Sequence, residues 1–102
     1  MSRFDTTDLD EIIHGRLRLG VMAYLSTAGS ARFADIKAKV AASDGNLSAQ
    51  LTKLEEAGYL RIEKRFEGKK PLTIAHLTDL GREAWVRYLD RMRAMLNAQA
   101  AE

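Results

Sequence analysis

The chain has 102 residues and a formal net charge of +2, with 46% apolar and 29% charged residues. This length and balance predict one globular domain over residues 1–102. The absence of cysteine excludes disulfides, thiolate metal sites and cysteine nucleophiles. No run of residues is long and apolar enough to span a membrane, and MSRFDTTDLDE lacks the apolar core of a signal peptide, so a cytoplasmic protein with no membrane partner is expected.

The N-terminal part is predicted to form helices over residues 8–28. Asp8 and Glu11 have the spacing of a capping box, and Gly15 predicts a break before a second helix from Arg16 to Thr27. The first helix would present a short apolar face made of Leu9, Ile12 and Ile13. The second helix is apolar nearly all round, which in so small a domain favours a partner subunit.

Residues 33–57 are predicted to form two helices joined by a tight turn. In the first helix the apolar residues Phe33, Ile36 and Val40 share one face. The second helix covers residues 43–57, with Ser43 or Asp44 as its N-cap and Gly58 as its stop. Its buried stripe consists of Leu47, Leu51 and Leu54. This arrangement is typical of a helix-turn-helix, whose second helix enters the major groove of DNA.

The outer face of that second helix carries small or polar side chains, which would let a DNA duplex approach closely. The candidate DNA-contacting residues are Ser43, Asn46, Ser48, Ala49, Gln50 and Lys53. Asn and Gln can form bidentate hydrogen bonds with an adenine edge, and Lys can reach a guanine or a phosphate. The alternative interpretation is an amphipathic helix whose outer face is only solvated.

After Gly58 the hydrophobic period changes from 3.6 to 2, which predicts a β-hairpin over residues 59–77. A very short strand is also expected near Ala31. Within residues 61–70, five cations stand against two anions, an excess of three that exceeds the net charge of the whole chain. A basic hairpin directly after a helix-turn-helix favours contact with DNA. The alternative is a solvated hairpin, since lysines on an edge strand also discourage aggregation.

A long amphipathic helix is predicted over residues 78–98, with Thr78 as its N-cap. Its apolar band is longer than a small core can cover, which favours dimerisation; the alternative is that its second half frays. The predicted dimer interface combines this helix with the N-terminal one: Leu9, Ile12, Ile13, Trp85, Leu89, Met92 and Leu96.

The run DGNLSAQLTKLEEAGYLRIEKRFEGKKPLTIAHLTDLGREA resembles the winged-helix transcriptional regulators of the MarR/ArsR-like superfamily. The resemblance implies a mainly α fold with a small β-hairpin, a winged helix-turn-helix with an additional long C-terminal helix. It also implies a homodimer that binds double-stranded DNA at a pseudo-palindromic operator, usually as a repressor. Helix 43–57 would enter the major groove, and the wing 61–72 would lie on the backbone or in the minor groove. The wing contacts with DNA that the resemblance implies are Arg65, Lys69 and Lys70.

Some features of the chain depart from this family or limit the prediction. Ala49 stands where larger regulators often present a cation, and the Cys or clustered His of metal-sensing relatives is absent. The two histidines, His14 and His76, have no nucleophile or paired carboxylate at catalytic spacing, so no enzyme, metal or cofactor is predicted. A small-molecule effector is not indicated. The alternative function is a winged-helix module that binds proteins without DNA.

Overall fold

The computed structural model describes residues 4–101, with side chains up to residue 97, and this part forms four helices and a three-stranded sheet. In chain order these are α1 Arg16–Ala28, β1 Ser30–Arg32, α2 Phe33–Val40, α3 Asp44–Glu56, β2 Leu60–Glu67, β3 Lys70–Leu77 and α4 Asp79–Ala101. Residues 1–3 and 102 of the predicted domain lie outside the described residues. The predicted architecture of a helix-turn-helix, a hairpin and a long C-terminal helix is confirmed.

The N-terminal segment, residues 8–14, forms turns, so the helix predicted there is wrong. Asp10 does act as a cap, because its Oδ1 accepts from the backbone N–H groups of Ile12 and Ile13 at 2.9 and 3.2 Å. The backbone of Gly15 is extended, with φ −129° and ψ 142°. A helix therefore cannot run through Gly15, and regular helical structure begins only at Arg16.

Helices α2 and α3 meet through a three-residue turn, as the sequence predicts. Ala41 ends α2 in the left-handed conformation, with φ 54°. Ser43 then caps α3, since its side-chain oxygen accepts from the N–H of Asn46 at 3.2 Å. An exposed ion pair between Lys37 and Asp44, 2.8 Å long, also spans the turn. These local contacts set the start of α3 relative to α2.

The sheet is antiparallel, with strand order β1-β3-β2. Leu60 pairs with Leu77 at the base of the hairpin, and Glu67 pairs with Lys70 at its tip. Gly68 and Lys69 form the tip turn, and Gly68 has φ 65°. A positive φ at the first turn position matches a type II′ turn, which suits the twist of a two-residue hairpin. The hairpin thus projects its tip away from the core.

The core lies between the helices and the base of the sheet. The predicted stripe of α3 is confirmed, because Leu47, Leu51 and Leu54 are all buried. They pack in one cluster with residues from every other helix and from the sheet: Val21, Met22, Leu25, Ile36, Leu60, Ala75, Ala84 and Tyr88. Within the described part of the chain, no helix combines the length and apolar character needed to cross a bilayer.

The C-terminal end of α3 is locked to the start of α4. Gly58 has φ 83°, and the N–H groups of Gly58 and Tyr59 donate to Glu55 O and Leu54 O at 2.9 and 3.0 Å, a Schellman motif. Thr78 donates its hydroxyl to Gly58 O at 2.6 Å and accepts from the N–H of Gly81 at 2.9 Å. The cap of α4 is therefore also a tie to the end of α3.

Candidate nucleic-acid interface

The outward face of α3 is exposed and contains no bulky side chain. Of the candidates predicted on this helix, Ser43, Asn46, Ser48, Ala49 and Lys53 are exposed, and Gln50 is half-buried. The buried leucine stripe on the opposite side fixes the rotation of the helix. Glu55 and Glu56 are exposed at its C-terminal end. Negative charge is therefore confined mainly to the end of α3 that lies farthest from Ser43, apart from Asp44 in its ion pair with Lys37.

The hairpin forms a second wall beside α3. A groove between them is lined by Ser48, Thr52 and, at the end of the helix, the acidic Glu55, and by Lys64 and Thr73 on the strands. The exposed face of α3 and the basic hairpin consequently border the same cleft. The sequence placed these two groups about 20 residues apart, and their shared orientation is a property of the tertiary fold.

The cations of the hairpin differ in how far they are neutralised. Lys69 and Lys70 are exposed at the tip, and no carboxylate within residues 4–97 lies at ion-pair distance from either. Arg65 keeps 56% of its side chain exposed but has Glu63 3.5 Å away. Phe66 is 72% exposed beside them, an apolar tip residue that was not among the predicted site residues. Among the described side chains, the tip therefore offers two positive charges without an ion-pair partner and one partly compensated charge.

His76 occupies the base of the sheet in a hydrogen-bonded chain. Its Nε2 lies 2.9 Å from Glu63 Oε1, and its Nδ1 lies 2.6 Å from the hydroxyl of Ser30. The hydrogen bond with His76 holds the pKa of Glu63 below its usual value, and the nearby Arg65 acts in the same direction. The other histidine, His14, hydrogen-bonds through Nδ1 to the hydroxyl of Tyr88 at 2.7 Å.

Gln50 is engaged with residues of two helices. Its Oε1 accepts from Arg18 of α1 at 2.5 Å, and its Nε2 donates to Asn46 Oδ1 at 3.1 Å. Arg18 was not among the predicted site residues. Its helix gives no periodic signal for such a role, and the contact joins positions 32 apart in sequence. The structure thus adds a third side chain behind the predicted pair Asn46 and Gln50.

The residues predicted to form a dimer interface separate into two groups. Leu9 and Ile13 lie in the core of their own chain, 8% and 0% exposed, and Ile12 packs against that core. Their turn segment covers the middle of α4 within the same molecule, where Asp8 pairs with Arg91. The remaining group follows one stripe of α4: Trp85, Leu89 and Met92 are half-buried and Leu96 is 70% exposed.

The comparisons with known proteins place the chain in a family. Residues 17–96 match the model of the winged helix DNA-binding domain, so the chain belongs to that family. It is 32% identical over 79 residues to an uncharacterized protein of Methanocaldococcus jannaschii, covering 78% of this chain and 86% of that protein. The resemblance to winged-helix regulators that the sequence indicates is confirmed.

Two solved structures resemble the fold. A transcriptional regulator homologue from Pyrococcus horikoshii superposes with a TM-score of 0.82 at 28% identity, covering 88% of this chain and 89% of that one. A MarR-family transcriptional regulator from Silicibacter pomeroyi superposes with a TM-score of 0.69 at 19% identity, covering 92% of this chain and 62% of that one. At the lower identity, the likeness shows the fold alone. Family and fold together support a DNA-binding regulator.

Proposed function

We propose that the chain is a homodimeric transcriptional regulator that binds a pseudo-palindromic operator in double-stranded DNA and represses transcription. The observation that carries the proposal is the shared cleft, in which Ser48 of α3 faces Lys64 of the hairpin. A duplex lying across α3 and the hairpin would meet a helix and a basic strand pair together. The family assignment and the Pyrococcus regulator homologue agree with this use of the fold.

In this proposal α3 enters the major groove with its N-terminal half. The positive end of the helix dipole lies there, and Asn46, Ser48 and Ala49 are short enough for the helix axis to come close to the bases. Lys53, one turn beyond, is placed to reach the phosphate backbone. Because Glu55 and Glu56 end the helix, that end would point away from the DNA.

The hairpin would supply affinity that does not depend on sequence. Lys69 and Lys70 are exposed and unpaired among the described side chains, so their charges are available to phosphates. Each phosphate that a protein neutralises releases counterions, which makes binding weaken as salt rises. Arg65 would contribute less, because Glu63 competes for its charge.

The dimer in this proposal forms mainly through α4. This helix has 23 residues and is therefore about 35 Å long, at ~1.5 Å per residue. Its first turns pack on the core through Ala84 and Tyr88, while Leu96 remains 70% exposed farther along. A dimer would bury that apolar stripe and present two copies of α3 to successive turns of one DNA face.

DNA binding is tested by titrating a labelled duplex from the region upstream of the chain's own gene at several salt concentrations. The proposal expects binding at low salt and a steep loss of affinity as salt rises. Arg93→Ala serves as a control for Lys69→Ala, because each change removes one exposed cation and Arg93 lies on α4, paired with Asp90. Only Lys69→Ala should reduce the salt dependence. A stoichiometric protein partner combined with no DNA affinity would favour the protein-binding alternative.

Dimerisation and repression need separate measurements. Sedimentation of the wild-type chain should show a dimer at micromolar concentration, and Leu96→Glu should shift it toward monomer. Ala94→Glu is the matched control, since position 94 is also exposed but lies roughly opposite the Trp85–Leu96 stripe at ~100° per residue. A wild-type monomer would contradict the dimer. A reporter gene under the upstream region should be transcribed less when the chain is present; higher transcription would contradict repression.

A further inference from the structure

Three side chains behind and on the exposed face of α3 form one directed chain of hydrogen bonds. Arg18 donates from a terminal guanidinium nitrogen to Gln50 Oε1 at 2.5 Å. Gln50 then donates from Nε2 to Asn46 Oδ1 at 3.1 Å. The Asn46 side chain is exposed and Gln50 is half-buried, so the series of hydrogen bonds runs from α1 out to the face that would meet DNA.

The direction of this chain follows from the chemistry of arginine. A guanidinium has only donors, so the amide of Gln50 must turn its oxygen toward Arg18. Its NH₂ group then faces Asn46, whose amide must in turn offer its oxygen. Arg18 therefore sets the orientation of both amides, although it lies on a different helix.

The orientation of the two amides decides which of their hydrogen-bonding groups can bind a base. Both amide oxygens are turned toward donors within the protein, each with one of its two lone pairs used, and three N–H groups are left: two on Asn46 and one on Gln50. In the major groove guanine presents two acceptors, O6 and N7, whereas adenine presents one acceptor and one donor. Bidentate reading of adenine needs the oxygen and the NH₂ group of one amide to face the base together, whereas the Gln50 oxygen faces Arg18 and the Asn46 oxygen faces Gln50. The arrangement accordingly matches guanine, whereas the sequence alone indicated adenine as a possible target.

Arg18 is itself held in place on two sides. Its Nε donates to the backbone oxygen of Ile12 at 2.6 Å. On another side lies Gly15, where an added Cβ would stand 2.6 Å from a guanidinium nitrogen of Arg18. The guanidinium therefore occupies space that only glycine leaves open. The charge behind the two amides also polarises the hydrogen-bond chain and strengthens its terminal donors.

We propose that Arg18 is a specificity-determining positioning residue, which orients Gln50 and Asn46 so that α3 prefers guanine over adenine at the base it contacts. This inference rests on the proposed function, because it assumes that α3 lies in the major groove. Arg18 acts through Gln50 and is not expected to touch the DNA. Its removal should therefore change which base is selected more than it changes the overall affinity.

The test is selection of bound duplexes from a random DNA pool by the wild type, Arg18→Met and Gly15→Ala. The wild type should enrich guanine at one position in each half-site. Arg18→Met frees the Gln50 oxygen, and the guanine-to-adenine ratio there should fall by about tenfold, the discrimination expected of one good amide–base pair. Gly15→Ala keeps Arg18 but displaces its guanidinium, so it should shift the ratio in the same direction. Arg18→Lys, which retains a donor, should restore part of the preference.

Arg16→Met is the matched control, since Arg16 lines the same groove between α1 and α3 but has no hydrogen bond to Gln50 among those of the described residues. It should leave the guanine-to-adenine ratio unchanged. An unchanged ratio in both Arg18→Met and Gly15→Ala, or adenine enrichment by the wild type, would overturn the inference while leaving the proposed function intact. A wild-type chain that enriches no sequence would refute the proposed function and the inference with it.

A measurement without DNA tests the hydrogen-bond chain separately. Side-chain amide exchange of the free protein, followed by NMR, should be slower for Gln50 in the wild type than in Arg18→Met and Gly15→Ala. Equal exchange in all three would show that Arg18 does not orient Gln50 and would overturn the inference. If Arg18→Met fails to fold, Gly15→Ala still tests whether Arg18 orients Gln50, because that variant keeps Arg18, Gln50 and Asn46.

Discussion

Gly81 lies where α4 passes over the end of α3, and replacing it with alanine should destabilise the protein. A Cβ at this position would stand 2.2 Å from the backbone oxygen of Tyr59 and 2.9 Å from Leu77 Cδ1. The closest atom belongs to the backbone, so no side-chain rotation can relieve the contact. Either α4 or the Gly58–Tyr59 turn has to move, and both are held by the hydrogen bonds of Thr78.

The expected magnitude combines two opposing effects. Overpacking a tightly packed site costs roughly 1–3 kcal/mol. Alanine in place of glycine in a helix offsets up to about 1 kcal/mol of that cost, because alanine has the higher helix propensity. Because the contact is so short and involves backbone, the overpacking should dominate, with a net loss of about 1–2 kcal/mol in the free energy of unfolding. In a domain of this size, that lowers the Tm by about 5–15 °C.

Gly45→Ala is the matched control, because Gly45 also lies in the first turn of a helix but has nothing within 4 Å of an added Cβ. It should leave stability unchanged or raise it by up to about 1 kcal/mol. Denaturant unfolding of both variants and the wild type, at one protein concentration, measures the difference. If Gly81→Ala proved as stable as the wild type, or if both variants lost stability equally, the close contact would not be the determining feature.

Three further predictions concern the wing, the cap of α3 and the Tyr59 hydroxyl. Lys69→Ala combined with Lys70→Ala should weaken binding to all duplexes alike and reduce the salt slope by about 2; a changed base preference would contradict a purely phosphate role. Ser43→Ala should cost about 1 kcal/mol in denaturant unfolding, and Ser43→Asp should retain most of that stability; equal losses would argue against the cap. Burial, with the hydrogen bond to Asp10, raises the pKa of Tyr59 to about 12 from 10.0. As pH rises, the folded state therefore keeps this proton to a higher pH than the unfolded state does. The free energy of unfolding should fall between about pH 10 and 12, and it should fall less steeply in Tyr59→Phe. Parallel pH profiles of the two proteins would refute the assignment.

Features that depend on local patterns could be predicted from the sequence. Leu47, Leu51 and Leu54 recur at helical spacing, and that periodicity by itself indicates which face of α3 is buried. The change to alternation after Gly58 likewise predicts the hairpin, because strand pairing requires a period of 2. These signals work because neighbours along the chain determine backbone conformation and its exposed side.

The N-terminal segment shows where local patterns mislead. Its apolar residues Leu9 and Ile13 have helical spacing, yet they lie in a segment of turns and fill the core of their own chain. A single helical turn at Asp10 cannot grow, since Gly15 is extended and tertiary burial stabilises the turn as it stands. The spacing identified the buried residues correctly but could not show whether they face their own core or a partner.

The orientation of the two amides on the outward face of α3 depended on tertiary structure alone. Asn46 and Gln50 are visible in the sequence as polar residues one turn apart, and residue type tells only that each amide has donors and acceptors. Arg18 comes from another helix and lies 2.5 Å from Gln50. This contact decides which donors and acceptors of the two amides face outward. Local spacing therefore determines which side chains reach the surface of α3. Contacts between distant positions determine which of their atoms face outward, because a hydrogen bond made within the fold fixes the orientation of an amide that residue type leaves open.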